Sequence, residues 1–388
     1  MEDLVKRPGA RVCRPKREGP LRILMLVTHE DISGPIPKIS PLLAQGIREA
    51  GSVLEVGHWS RHSDSESLLA KLFGRVKDLL QIRARFSHAP FDVLFVQTSH
   101  TWLTLARDIP LVLTCRMHGR PIALMFHGSR YEPLLTSPLS LFSLATRLLI
   151  SLVDGVFLLS SEEQRQWRRI MPRGRFYIVS NPFVRSAEAP LSRPDDGLDG
   201  SHDELLYVGR LMEEKGVFDL VSAIAYLESD RDVHLRLVGG GPHADRLRRY
   251  VLERGLGDRV QLCGYVSGDA LWALYASADL FVLPTYWKEG FPTVLAEAMS
   301  MGLPIVTTPV RGAVDHLQDG VNAVFVPPRD PLELAAVIAC LLDDPSLRHS
   351  MSKNNRERVA DFDPTTVARA YVDGLTDVVE ACRRRSPS

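Results

Sequence analysis

The chain has 388 residues, enough for two domains with a core each, because single hydrophobic cores stop growing near about 250–300 residues. Lysine plus arginine equals aspartate plus glutamate at 47 each, so no net field draws the whole chain onto nucleic acid. The five cysteines stand at 13, 115, 263, 340 and 382 without a C-x-x-C pair, which argues against a zinc site or disulfide framework and suits a reducing compartment.

Residues 1–20 carry Lys6, Arg7, Arg11, Arg14, Lys16 and Arg17 but no apolar stretch, which predicts a loose basic tail rather than a secretory signal. Leu21 to Val27 then reads as a strand buried on both faces, as in a parallel sheet. Ser40 and Pro41 suit an N-cap and first helical position, and Gly51 an exit. Strand-like runs follow at Val53 to Val56, Asp92 to Gln97, Pro121 to Phe126, Gly155 to Leu159 and Phe176 to Val179, separated by helix-length segments. That alternation predicts βαβ winding over residues 21–185.

Between the first of these strands lies an apolar stripe at helical spacing, Leu68, Leu69, Leu72, Phe73, Val76, Leu79 and Leu80, whose default reading is a core-facing helix. The longest apolar segment, Pro138 to Leu159, contains Arg147 and Asp154 and falls short of a membrane span of roughly 18 residues without charge, so it reads as helix followed by strand. A Pro-, Asp-, Gly- and Ser-rich stretch, residues 186–203, predicts an exposed linker, entered through S-N-P-F, Ser180 to Phe183, as a hinge. A second winding series occupies residues 204–360, with strands at Leu205 to Val208, His234 to Val238, Val260 to Cys263, Leu280 to Leu283, Pro304 to Thr307 and Ala323 to Val326. Helical stretches near Leu332 to Leu342 and Thr365 to Arg384 close the chain, the second, within 361–388, expected to pack back on the first domain.

Ligands of open α/β sheets bind outside the carboxyl ends of the strands, so motifs there carry the function. After Leu205 to Val208 comes G-R-L-M-E-E-K-G, which places Arg210 and Lys215 beside a helix N-terminus, a clamp suited to a diphosphate. The bland alternative is a surface pairing of these cations with Glu213 and Glu214. After His234 to Val238 comes G-G-G-P, a turn of close backbone approach. No G-x-G-x-x-G and no P-loop pattern is present.

After Leu280 to Leu283 the chain reads P-T-Y-W-K-E-G-F-P-T-V-L-A-E-A-M-S-M-G-L-P. Pro292 suits the first helical turn and Gly302 the stop, which puts Glu289 just before the helix and Glu297 about two turns in, with the amides of Gly290 and Phe291 as free donors. Eight steps along a helix rise about 12 Å. Carboxylates that cleave a glycosidic bond stand roughly 5 to 9.5 Å apart. The pair therefore suits opposite ends of one long ligand better than a hydrolytic dyad, while two merely structural acids are the plain alternative.

The series G-R, E-K-G, V-G-G-G-P and E-G-F-P-x-x-x-x-E-A-M-x-x-G-x-P-I-V resembles the retaining, nucleotide-sugar-dependent glycosyltransferases of family four, densely from about Leu205 to Arg358 and more thinly before. The resemblance implies an α/β fold of GT-B type, two doubly wound Rossmann-like domains facing across a cleft. It implies that Gly209, Arg210 and Lys215 hold the donor diphosphate and that Glu297 binds the ribose. Glu289 with Gly290, Phe291 and Pro292 would bind the transferred sugar. His127, of A-L-M-F-H-G, matches the family's strand-end histidine near the reacting centre, unless it is only a satisfied histidine at a strand end. Gly34 matches the glycine loop, although Pro35 stands where many members have a second glycine and offers no N–H.

Arg311, Asp315 and His316 depart from the family's G-G-x-x-E and receive no role. The implied activity is sugar transfer to a glycan or lipid-linked acceptor in polysaccharide or glycolipid synthesis, without cofactor or metal. The expected setting is cytoplasmic, with peripheral contact to an anionic membrane surface through the 68–80 stripe left open, and no nucleic-acid partner. A GT-B epimerase and a non-catalytic nucleotide-sugar binder are the competing readings.

Overall fold

The computed structural model describes residues 19–29, 35–59, 68–185, 202–227, 231–288 and 290–385. The basic tail up to residue 18, Gly34, Glu289, linker residues 186–201 and the side chains of residues 68–76 lie outside the described residues. Two compact units divide the chain: residues up to Pro182 together with those from Asp363 form the first, and Phe183 to Phe362 form the second.

The first unit winds β1 (Arg22–Val27), α1 (Pro35–Glu49), β2 (Val53–His58), α2 (Leu68–His88), β3 (Val93–Thr98), α3 (Trp102–Arg116) and β4 (Ile122–Phe126). It continues through α4 (Glu132–Thr136), α5 (Leu141–Leu152), β5 (Gly155–Leu158), α6 (Ser161–Ile170) and β6 (Phe176–Ile178). All pairs in its sheet are parallel, in the order β2-β1-β3-β4-β5-β6. The strands are apolar on both faces because helices cover both.

The second unit winds β7 (Asp203–Val208), α7 (Val217–Tyr226), β8 (Val233–Val238), α8 (Ala244–Glu253), β9 (Val260–Gly264), α9 (Asp269–Ser277) and β10 (Leu280–Leu283). Then come α10 (Thr293–Ser300), β11 (Ile305–Thr307), α11 (Gly312–His316), β12 (Ala323–Phe325), α12 (Pro331–Asp343) and α13 (Pro345–Arg358). Its parallel sheet runs β12-β11-β10-β7-β8-β9 around one continuous core. The strand order reverses between β7 and β10, which is where such a sheet opens a crevice for a ligand.

The last helix, α14 (Pro364–Arg384), belongs to the first unit and packs along α1. Two glycines permit its approach. A Cβ on Gly46 would stand 2.2 Å from the Pro364 carbonyl oxygen, and one on Gly374 would stand 2.7 Å from the Phe157 ring. Tyr371 of α14, wholly buried, lies nearly parallel to Phe157 at 5.7 Å between ring centroids.

Local details differ from the sequence reading. Helix α1 starts at Pro35, ahead of the expected entrance at Ser40, and encloses Pro41. The buried residues Ile39, Leu43, Ala44 and Ile47 carry the apolar face across the expected boundary, and Pro41, in the second turn, leaves the Pro37 carbonyl without its intrahelical N–H. Ser40 consequently caps nothing; its buried hydroxyl has no hydrogen-bond partner among the described residues. Pro292 precedes α10 as its cap residue, at φ −63° and ψ 130°, so Glu297 sits about one turn into the helix rather than two. No helix among the described residues is long and apolar enough to cross a membrane.

Candidate functional site

The strand-end loops of the second unit are fastened to one another backbone to backbone. Leu211 N–H donates to the Gly240 carbonyl at 3.0 Å, Gly209 N–H to Val238 at 2.9 Å, and Tyr286 N–H to Glu214 at 2.9 Å. Glycine is required where these chains meet. A Cβ on Gly239, at φ 136°, would fall 1.9 Å from the Gly209 oxygen, and one on Gly216, at φ 72°, 2.1 Å from the Pro284 oxygen. The loops after β7, β8 and β10 therefore form one stiff layer over the switch point.

Arg210 and Lys215 sit in that layer. The buried Tyr207 hydroxyl donates to the Arg210 carbonyl at 2.9 Å, which pins the backbone while the exposed guanidinium makes no ion pair with a described residue. Lys215 ends a one-turn 3-10 helix, Glu213–Lys215, and is half-buried. The proposed surface pairing of Arg210 with Glu213 does not form, because Glu213 takes Arg246 at 2.8 Å instead. Glu214 contributes a buried carboxylate oxygen, Oε2, without a hydrogen-bond partner among the described residues.

Helix α10 ends in a Schellman motif: Leu303 N–H donates to Ala298 at 3.0 Å and Gly302 N–H to Met299 at 2.9 Å, with Gly302 at φ 68°. At its other end, neither the Gly290 nor the Phe291 amide donates to a described residue. Glu289, the partner expected for them, lies outside the described residues. Glu297 is held by a residue the sequence did not single out: the wholly buried Tyr275 donates its phenolic O–H to Glu297 Oε2 at 2.7 Å. Burial, and then the adjacent carboxylate, push the Tyr275 pKa well above its usual value, so the phenol stays a donor. Only the fold, by bringing α9 against α10, makes that pair visible.

The segment that received no role also touches this layer. Gly312 presses its backbone on the same loop, since a Cβ there would stand 2.5 Å from the Phe291 nitrogen. Arg311, 3 % exposed, takes φ 32° and ψ −113° to deliver that contact, a strained conformation for an arginine. His316 packs edge-on against Phe291 at 4.8 Å.

In the first unit His127 follows β4 and its Nε2 meets Gln97 Oε1 at 2.6 Å. Gln97 donates its amide to the Met25 sulfur, which fixes the amide orientation and makes Nε2 the protonated nitrogen. Nδ1 is buried without a hydrogen-bond partner among the described residues, and burial lowers the imidazole pKa to about 4. The histidine is thus neutral near pH 7 with an acceptor nitrogen unspent. Gln97 was also unmarked, although a glutamine inside the buried run V-L-F-V-Q-T was the available signal. Gly34 lies outside the described residues, and among those described no group of three or more His, Cys, Asp or Glu is arranged to hold a metal ion.

Residues 189–358 match the family model described as glycosyl transferases group 1. The second unit belongs to the glycosyl transferases group 1 family. An alpha-D-kanosaminyltransferase of Streptomyces kanamyceticus is 32% identical over 261 residues, covering 62% of this chain and 66% of that protein. A glycogen synthase of Mycobacterium tuberculosis is 36% identical over 169 residues, 43% of this chain and 41% of that protein. The chain therefore spans just under two thirds of the first relative and well under half of the second. The structure of Anabaena HepE, solved in complex with UDP and glucose, covers 92% of this chain and all of that one with a TM-score of 0.70 at 19% identity. The group 1 unit and its partner unit thus have the two-sheet GT-B fold.

Proposed function

We propose that the chain transfers a sugar from a nucleoside-diphosphate sugar to a hydroxyl of a glycan or lipid-linked sugar, with retention at the anomeric carbon, in polysaccharide or glycolipid assembly. The observation that carries this reading is the glycine-fastened layer over the β7/β10 switch point, with an exposed Arg210 and a half-buried Lys215 fixed on it.

In this reading the bond from the anomeric carbon to the diphosphate breaks first, and its electron pair leaves with the nucleoside diphosphate. Arg210 and Lys215 neutralise that charge, the term that usually contributes most to catalysis, and no metal is needed for it. The acceptor oxygen forms its bond on the face the diphosphate vacates, and a phosphate oxygen takes the acceptor proton. Glu297, braced by Tyr275, receives the ribose hydroxyls. Glu289 with the Gly290 and Phe291 amides receives the sugar, and neutral His127 serves the sugar near its reacting carbon. The proposed setting is the cytoplasm, where a lipid-linked acceptor would draw the protein to the membrane face.

Calorimetry with UDP, GDP, ADP and dTDP tests the donor half, and at least one is expected to bind tighter than about 1 mM. The transfer half is tested by the same nucleotide's sugar in chelator-treated buffer with and without glycan acceptors. Nucleotide release that depends on the acceptor is expected. Sugar interconversion without acceptor would instead establish an epimerase, and binding without any turnover a carrier.

A further inference from the structure

Among the described residues only Arg311 and Arg329 combine a side chain with a positive φ. Arg329 is exposed and sits at φ 61°, within the ordinary left-handed region. Arg311 is buried and sits at φ 32° and ψ −113°, outside it. The Ala313 N–H donates to the Val310 carbonyl at 2.9 Å, so Val310 to Ala313 is a hydrogen-bonded turn with Arg311 at its second position. A positive φ there, with ψ near −120°, is the type II′ conformation that glycine ordinarily fills. An arginine in it is strained, and such outliers persist where the surroundings over-determine them.

What the turn delivers is Gly312. A Cβ on it would stand 2.5 Å from the Phe291 nitrogen, 2.8 Å from the Gly290 carbonyl carbon and 3.0 Å from the Phe291 Cα, all of them backbone. The same peptide is closed from its ring side: Phe291 stacks on the buried Phe362 at 4.8 Å, with the rings 10° apart, and meets the His316 edge. Held on both sides, the Gly290 and Phe291 amides still donate to no described residue. The nucleotide end of the site is supported by other contacts. Tyr207 pins the Arg210 backbone, a 3-10 turn carries Lys215, and the Tyr275 phenol holds Glu297. None of these passes through Arg311 or Gly312.

We propose that the strained Arg311–Gly312 turn is a positioning device for the sugar half of the donor alone. It sets the Gly290–Phe291 peptide, whose amides receive the transferred sugar, while the nucleotide half is held independently of it. This rests on the donor reading above. Arg311 acts through its backbone conformation and Gly312 through the methyl it lacks.

Gly312→Ala makes the peptide retreat by about 1 Å to restore a contact of about 3.5 Å. A misplacement of that size should lower acceptor-dependent turnover about 100-fold. Calorimetry with whichever of UDP, GDP, ADP or dTDP binds the wild type should give a dissociation constant within about 2-fold of the wild-type value, as for independent sites. Two substitutions separate backbone from side chain at position 311. Arg311→Val puts a β-branched residue at a positive φ, and Arg311→Gly a residue that adopts it freely. Turnover of the glycine variant should exceed that of the valine variant at least about 10-fold. Melting curves check that each variant is folded, and the Arg311 pair decides the matter should Gly312→Ala not fold.

Wild-type-like turnover in Gly312→Ala overturns the inference and leaves the donor reading standing. Loss of bare-nucleotide affinity along with turnover makes the turn general scaffolding and likewise overturns it, as does a glycine variant no better than the valine one. A wild type that binds none of the four nucleotides removes the donor reading and the inference with it.

Discussion

At the strand ends of the second unit backbone rests on backbone: Gly209 against Gly239, Gly216 against Pro284, Phe291 against Gly312. At those of the first unit side chain rests on side chain, as in Asp108 Oδ1 accepting from Trp59 at 2.9 Å and Oδ2 from Thr98 at 2.6 Å, with Arg107 forked across the same carboxylate. His127 on Gln97 and His100 on Thr146 follow the same plan. A backbone layer leaves its side chains, Arg210 among them, available to a ligand. A side-chain layer spends its polar groups on itself, and the few unspent atoms, such as His127 Nδ1, stand out.

The difference can be broken from the first unit's side with the largest effect. Asp108→Ala leaves a guanidinium with 9 % side-chain exposure and a buried indole N–H without their acceptor. Losing one partner of a buried pair costs about 3–5 kcal/mol, so urea unfolding should show a first unit destabilised by that amount. A loss under about 1 kcal/mol would mean the network does not hold the strand ends together.

From the second unit's side the side chain can be removed and the layer kept. Lys215→Ala is expected to lower sugar-transfer turnover about 100- to 1,000-fold, the usual cost of deleting one donor aimed at developing charge. Unfolding curves should hardly move. Near-normal turnover in a folded variant rejects the diphosphate clamp.

The converse substitution damages the layer and spares the charges. Gly239→Ala adds a methyl 1.9 Å from the Gly209 oxygen at a φ that side chains avoid, and should cost about 2–3 kcal/mol together with nucleotide affinity. Gly240→Ala, one residue on, meets nothing within 4 Å and should be close to neutral. Equal behaviour of the two would show that the stitching is incidental.

The same contrast decides what could be read before the structure. A backbone layer leaves a trace in sequence, because only glycine fits where two main chains touch, and G-R, E-K-G and G-G-G-P stand in reading order after their strands. The strands themselves are legible as short apolar runs, since a parallel sheet is covered on both faces. Side-chain networks leave little trace: Tyr275 and Glu297, or Trp59 and Asp108, are ordinary residues until the fold joins them. The start of α1 is hidden because Ser40–Pro41 imitates a cap inside a longer apolar face.

Two histidines of the first unit, His100 buried and His127 half-buried, make the comparison measurable in solution through pH. His127 and His100 have folded pKa values of about 4 and about 3, lowered chiefly by burial. An unfolded histidine titrates near 6.5. Between roughly pH 6.5 and 4 the unfolded chain therefore binds protons that the folded first unit refuses, so stability rises with pH across that window and drains away as pH falls through it. His127→Gln removes one such group, and the fall in melting temperature from pH 6.5 to 4.5 should become shallower while the values near pH 8 change less. Gln97 would keep an amide partner in that variant, so the change in slope reports the lost titration rather than a lost hydrogen bond. An unchanged slope would mean that position 127 admits its proton in the folded state, and the neutral imidazole assigned to the sugar would have to be given up.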